Sequence, residues 1–280
     1  MNLLFLLLFH PGAWAVEAQD LPPIEYNRNP YYQEEGYRLG SILNFYRYRI
    51  FPWSYEGTMM MGFGAGRQDF IDQLCLDART QGTENIADAN KRQTAVDQAT
   101  RSCYIFTNPW PFSTLNHQLL LAFEQLGNAQ VSPILLHYSV PYISIENIIT
   151  QTKNFVEGIY PINPDAKIAH SYHISESQIP FSGSLNIKRG FIDGRVVKAS
   201  LDHLLRKSFE VTIQEGKLGN NFTRMSVDNQ EVFNYILAAM LTGKLVHIEY
   251  LELIGFEASL VRVMRDYDTP YRVIGVELME

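Results

Sequence analysis

Several segments within residues 34–160 have apolar residues at every third or fourth position, which is the spacing of an amphipathic helix. Residues 34–50 show the pattern first, and Pro52 ends it. Its apolar face would comprise Leu39, Ile42, Leu43, Tyr46 and Ile50. Further helices are predicted over 68–79, 86–104, 115–126 and 142–158, the third capped by Ser113 or Thr114. Residues 107–113, with two prolines, predict a turn.

Beyond residues 159–165, where two more prolines suggest a boundary, the pattern changes to the alternation typical of strands. Asp193-Gly194 lies between apolar pairs and predicts a hairpin. Asp228 to Glu231 form a capping box that begins a helix reaching about Leu241, and Gly243 ends it. Strands are predicted over 244–252, 258–265 and 271–278.

The predicted fold class is therefore α+β, with two domains that differ in secondary structure. A mainly helical N-terminal domain would span residues 34–160. A small C-terminal β-barrel-like domain with one inserted helix would span residues 166–280.

The N-terminus has the layout of a secretory signal peptide over residues 1–15. An apolar run from Leu3 to Phe9 precedes Pro11, and Ala13-Trp14-Ala15 is a small-x-small cleavage site. The alternative is an apolar strand or helix that is never removed. Cleavage would leave an extended arm over residues 16–33 and a mature chain in the periplasm or outside the cell. No segment is long and apolar enough to predict a transmembrane span in that mature chain.

Composition narrows the possible partners and cofactors. The chain has 280 residues, 46% of them hydrophobic and 19% charged, as in globular proteins. A net charge of −7 gives it no electrostatic attraction to nucleic acid. In an oxidising compartment Cys75 and Cys103 predict a disulfide, with two buried thiols as the alternative. No metal-ligand spacing occurs, and we expect neither a metal nor a cofactor.

Residues 26–55 are rich in aromatic side chains with arginines between them, the residue types that protein interfaces favour. The candidate binding residues are Tyr37, Arg38, Tyr46, Arg47, Tyr48 and Trp53. Two alternatives stay open. The aromatic face could pack into the core, or the rings could stack on sugars or on the arginines.

The C-terminal third resembles a small bacterial β domain family of unknown function. Five pieces at 194–200, 207–210, 226–228, 243–250 and 269–273 carry the resemblance, in the order of that family's motifs. They include Gly194 to Ser200 and Thr269 to Val273, and the resemblance covers residues 183–278. It implies a β fold and a bacterial source, and it brings no catalytic residues.

Together these features predict an exported bacterial envelope protein that acts as a non-catalytic binding or assembly module, with protein partners in the envelope or in a secretion complex. The alternative is a periplasmic hydrolase acting on an envelope polymer. Its site would lie in a cleft and would combine His137, His170 or His173 with a carboxylate.

Overall fold

Most of the described chain is β-sheet. The computed structural model describes residues 32–48, 54–63, 86–95, 109–127, 133–142, 150–175, 178, 186–202, 208–215, 221–254 and 269–279. The strands are β1 (Tyr32–Arg47), β2 (Tyr55–Met61), β3 (Pro109–Thr114), β4 (Ile134–Pro141), β5 (Phe155–Pro161), β6 (Ser171–His173), β7 (Asn186–Asp202), β8 (Ser208–Glu215), β9 (Phe222–Val227), β10 (Val246–Ile254) and β11 (Tyr271–Leu278). The helices in these ranges are α1 (89–95), α2 (His117–Gly127) and α3 (Gln230–Thr242).

Several predictions concern residues outside these ranges. They are the signal peptide over 1–15, residues 16–31 of the arm predicted over 16–33, the helix over 68–79, the strand over 258–265 and the Cys75–Cys103 disulfide. Residues 32–33 of the predicted arm belong to β1.

The strands form two closed rings with the same strand order. In the first, β1, β2, β3, β5 and β4 are hydrogen-bonded in that order and β4 returns to β1, with α2 between β3 and β4. In the second, β7, β8, β9, β11 and β10 repeat the order and β10 returns to β7, with α3 between β9 and β10. We call the rings barrel 1 and barrel 2. Each has the five-stranded Greek-key barrel plan of an OB-fold.

A glycine marks the point in each barrel where the first strand exchanges one partner for another. Gly40 is the last residue of β1 that pairs with β4 and the first that pairs with β2. Gly194 has the same place in β7, between β10 and β8. A Cβ would lie 2.0 Å from the Met60 carbonyl oxygen at the first position and 2.3 Å from the Gln214 carbonyl oxygen at the second. Only glycine lets the neighbouring backbone approach this closely.

The repeat extends to further details. The register shifts between Ile42 and Asn44 in β1 and between Val196 and Lys198 in β7, at equal distances after the two glycines. Each inserted helix follows an asparagine. The Asn116 side chain accepts a hydrogen bond from the Gln118 N–H, and the Asn229 side chain accepts from the two N–H groups at 231 and 232. Asn116, rather than the predicted Ser113 or Thr114, therefore caps α2.

One stretch of sheet belongs to both barrels. Residues 34–38 of β1 pair with β4 along one edge and with residues 198–202 of β7 along the other, both antiparallel. The barrels curl to opposite sides of this shared sheet. Tyr37, Leu39 and Leu135 of barrel 1 consequently lie in the core of barrel 2, whereas Val197 of barrel 2 lies in the core of barrel 1.

The prediction of a mainly helical N-terminal domain is wrong. Residues 34–47 form β1 instead of a helix, and residues 155–158 begin β5. Both faces of β1 are covered by protein over residues 35–37 and 39–41, so the alternation of a half-exposed strand is lost. Two glycines and a register shift interrupt it further, and the remaining apolar spacing looks helical. The helices α2 and α3 lie where the sequence predicts them.

The turn predicted over 107–113 is also wrong, because residues 109–114 form β3. Pro109 and Pro111 lie two residues apart, so both remove an N–H group from the same edge of β3. The opposite edge of β3 pairs with β2. The next N–H on that edge, from Ser113, donates to the Asn154 carbonyl at 2.8 Å. The prolines thus leave this edge with few donors for another strand.

The hairpin predicted at Asp193-Gly194 is a single continuous strand, β7. Gly194 therefore allows β7 to change its partner strand and does not reverse the chain.

We expect Gly194→Ala to destabilise the protein by about 3 kcal/mol, since the new methyl group meets backbone. Gly190→Ala on the same strand is the control, because there the three atoms nearest to the methyl group belong to the Tyr250 side chain, which can move. Urea unfolding would measure both, and equal losses would contradict the proposed role of Gly194.

Candidate functional site

The structure separates the candidate binding residues of the aromatic and arginine-rich segment. Tyr37 is fully buried in the core of barrel 2, and Arg38 points to the other face of β1, into barrel 1. Tyr46, Arg47 and Tyr48 are exposed at the end of β1. The Tyr46 hydroxyl donates to the Gln151 side chain at 3.1 Å. Trp53 lies outside the described residues.

A group of charged side chains lies on the face of the shared sheet that packs into barrel 1. Lys198 Nζ lies 2.5 Å from Glu34 Oε1, and the Tyr138 hydroxyl donates to the same carboxylate. The Arg38 guanidinium lies 4.7 Å from the Trp110 ring centre and 4.9 Å from that of Tyr138. This group ties β1, β4 and β7 together, which is a structural role.

The electrostatics of the group follow from burial and opposite charge. Burial raises the pKa of Glu34, but Lys198 and Arg38 outweigh it and hold the pKa at about 2. Burial lowers the pKa of the Lys198 ammonium, and Glu34 opposes that change. Burial also raises the pKa of Tyr138 well above its usual value. Glu34 is therefore ionised at neutral pH.

The opposite face of the shared sheet carries a second buried pair. His137 Nε2 lies 3.1 Å from Glu35 Oε1, and both residues are buried. The His137 ring stacks on Tyr37 with 4.8 Å between ring centres. The pair is packed inside the protein, where substrate has no access, so this geometry does not form the cleft site of the hydrolase hypothesis.

The other histidines of that hypothesis lie on the outer surface of barrel 2. His170 Nε2 is 2.9 Å from Glu277, and His173 Nδ1 is 3.6 Å from Glu249. Their side chains are 63% and 49% exposed. Both therefore face solvent as members of surface ion pairs.

The polar face of β8 is also covered, although OB-folds often bind ligands on the face of their second and third strands. Glu210, Thr212 and Gln214 are all buried. Gln214 accepts a hydrogen bond from the Phe63 N–H at 2.8 Å and donates to the Phe63 carbonyl at 3.2 Å. Barrel 1 thus occupies part of the surface that an oligonucleotide or oligosaccharide would need on barrel 2.

The candidate binding site is a groove of about 720 Å³ where the two barrels meet. We call it the inter-barrel groove. Its lining is mostly apolar, with two cations and no carboxylate among the described residues. It comprises Phe63, Pro133, Ile134, Pro161, Ile162, Pro164, Arg195, Thr242, Gly243, Lys244, Leu245 and Met279.

Local geometry fixes the cationic wall of the groove. The Arg195 guanidinium lies 4.7 Å from the centre of the Phe63 ring, and its Nε donates to the Gly243 carbonyl at 3.1 Å. Gly243 ends α3 in the left-handed conformation (φ 66°), which suits glycine, and directs the chain to exposed Lys244. Burial lowers the pKa of Arg195, but arginine stays charged at neutral pH.

Sequence reasoning missed this groove because its lining comes from six separate stretches of the chain. The one signal was Pro161 and Pro164, which the pattern marked as a boundary. Within the described ranges, no three His, Cys, Asp or Glu side chains are placed to hold a metal ion. No helix in those ranges is long and apolar enough to cross a bilayer.

Comparison of the chain with protein-family models, curated proteins and solved structures gives no match. The resemblance of residues 183–278 to a bacterial β domain therefore stays a prediction.

The charged group on the shared sheet predicts a pH effect on stability. Glutamate has a pKa of about 4.5 when unperturbed and Glu34 of about 2 when folded, so its stabilisation is present above pH 4.5 and lost as pH falls towards 2. We expect Glu34→Gln to cost about 3 kcal/mol at pH 7, because Lys198 loses its partner. The cost should shrink near pH 2.5. Urea unfolding at both pH values measures it. Glu277→Gln, an exposed control, should cost no more than about 1 kcal/mol.

The burial of the aromatic segment predicts that its tyrosines differ in their contribution to the stability of the protein. Tyr37→Ala should destabilise the protein by about 4 kcal/mol, because it leaves a cavity in the core of barrel 2. Tyr46→Ala should change stability by less than about 0.5 kcal/mol, since that side chain is 48% exposed. Thermal unfolding compares the two variants. Similar losses of stability in the two variants would contradict the burial of Tyr37 and the exposure of Tyr46.

Proposed function

We propose that the protein is an exported bacterial envelope protein that acts as a non-catalytic binding and assembly module, with the inter-barrel groove as its binding site. The observation that carries the proposal is the groove itself, an apolar concavity between two joined barrels with two cations in its lining. Its volume lies in the range of known ligand sites, which combine an apolar lining with a few polar groups.

The lining supports binding rather than chemistry. The groove holds no histidine, carboxylate, serine or cysteine among the described residues that line it. Its one hydroxyl, on Thr242, donates to the Ala239 carbonyl at 2.7 Å. The cations stand on a rigid strand and a helix end, so they can orient a ligand without a loop closing over it.

The envelope location and the protein partners rest on the sequence. The signal-peptide pattern over residues 1–15 supports export, and the resemblance of the C-terminal third supports a bacterial source. The two-barrel architecture supports an assembly role, since a groove between rigid units presents a fixed surface to a partner. The hydrolase alternative gains no comparable support, because its three histidines lie away from the groove.

Co-purification from the native envelope, with matched groove variants, tests the proposal. Ile162→Glu places a carboxylate in the apolar groove, whereas Ile254→Glu makes the same change at an exposed residue elsewhere. We expect a reproducible set of envelope components to co-elute with the unchanged protein and with Ile254→Glu, and to be depleted at least tenfold with Ile162→Glu.

Thermal unfolding of the purified variants is the control for folding. An Ile162→Glu protein that melts near the unchanged protein and still retains the same components would overturn the groove as the binding site.

A further inference from the structure

The charge of the inter-barrel groove is opposite to that of the chain. The protein carries a net charge of −7, yet Arg195 and Lys244 are the charged residues in the described lining of the groove. Arg195 donates to the carbonyl of Gly243, the neighbour of Lys244 in sequence, so both cations lie on the barrel 2 wall. That wall suits one anionic group, and the rest of the groove suits an apolar body.

Three prolines in the lining limit how a ligand can be held. Pro133, Pro161 and Pro164 line the groove, and proline has no N–H to donate. A polypeptide strand added to a sheet edge gains its affinity from main-chain hydrogen bonds, and these three positions offer no donor for them. The lining therefore favours a ligand held by apolar burial and by the cations, and a flexible apolar chain meets that need.

We propose that the groove binds a single-chain anionic amphiphile, a long-chain fatty carboxylate, with its chain along the lining prolines and its head group at Arg195 and Lys244. This inference rests on the proposed function, since it names the ligand of the same groove. Arginine pairs strongly with carboxylates, and Arg195 is partly buried, where such a pair is electrostatically stronger than in water.

The experiment is displacement of a fluorescent fatty acid, 11-(dansylamino)undecanoate, from the full chain by a series of saturated carboxylates below their micelle concentrations. Each added methylene should tighten binding by up to about fourfold until the groove is filled. An alkyltrimethylammonium ion of equal length should bind at least tenfold more weakly than the carboxylate, because its head group carries the wrong charge.

Variants assign the binding to the groove. Lys244→Gln should weaken the carboxylate about two- to fivefold, as expected for an exposed charge pair, and should leave the alkyltrimethylammonium unchanged. Lys188→Gln removes an exposed lysine outside the groove and should change neither ligand. Ile162→Glu should abolish displacement by carboxylate, while Ile254→Glu should not.

Three results would overturn the inference: no saturable carboxylate binding, equal binding of the two head groups, or unchanged binding by a folded Ile162→Glu protein. The envelope co-purification separates this failure from that of the proposed function. If envelope components still depend on Ile162 while carboxylates do not bind, the groove is a binding site for another ligand. If neither depends on Ile162, both proposals fail.

Discussion

The antiparallel pairing between residues 34–38 of β1 and residues 198–202 of β7 holds the two barrels together, and the other contacts between them are arranged around it. Backbone hydrogen bonds fix the register. On one face of the pairing Glu34 and Lys198 compensate each other's charge, and on the other Tyr37 enters the neighbouring core. A change in this register by one residue would exchange the two faces and place charges in the core of barrel 2.

The two barrels are built by the same means. Each uses a glycine to pass its first strand from one neighbour to the next, then a register shift, then an asparagine to begin the inserted helix. Their positions in the protein nevertheless differ. The half of β1 that pairs with β4 meets the half of β7 that pairs with β8, so the barrels are not related by a two-fold axis. The inter-barrel groove is lined by residues of both barrels.

The sequence alone predicted local elements better than it predicted which distant segments of the chain pair with each other. The helix α3 was predictable because Asn229 and Gly243 mark its ends with side-chain and backbone preferences that act within a few residues. Strand β1 was not, because protein on both faces removes the alternation that identifies strands. The repeat was equally hidden in the sequence. It is marked by two glycines, Gly40 and Gly194, which are 154 positions apart, and by two asparagines, Asn116 and Asn229, which are 113 positions apart. The groove and the Glu34–Lys198 pair depend on contacts between distant segments, which composition and spacing do not encode.

The exchange of core residues between the barrels has a consequence for how copies of the chain interact with one another. A half released from its neighbour would present Tyr37, Leu39 and Leu135 to water, together with an unpaired edge of β1. The surface that satisfies them is present on every other copy, with the same register and the same lysine opposite the same glutamate. An exchange of halves between two chains would therefore rebuild both junctions from the contacts that one chain makes with itself.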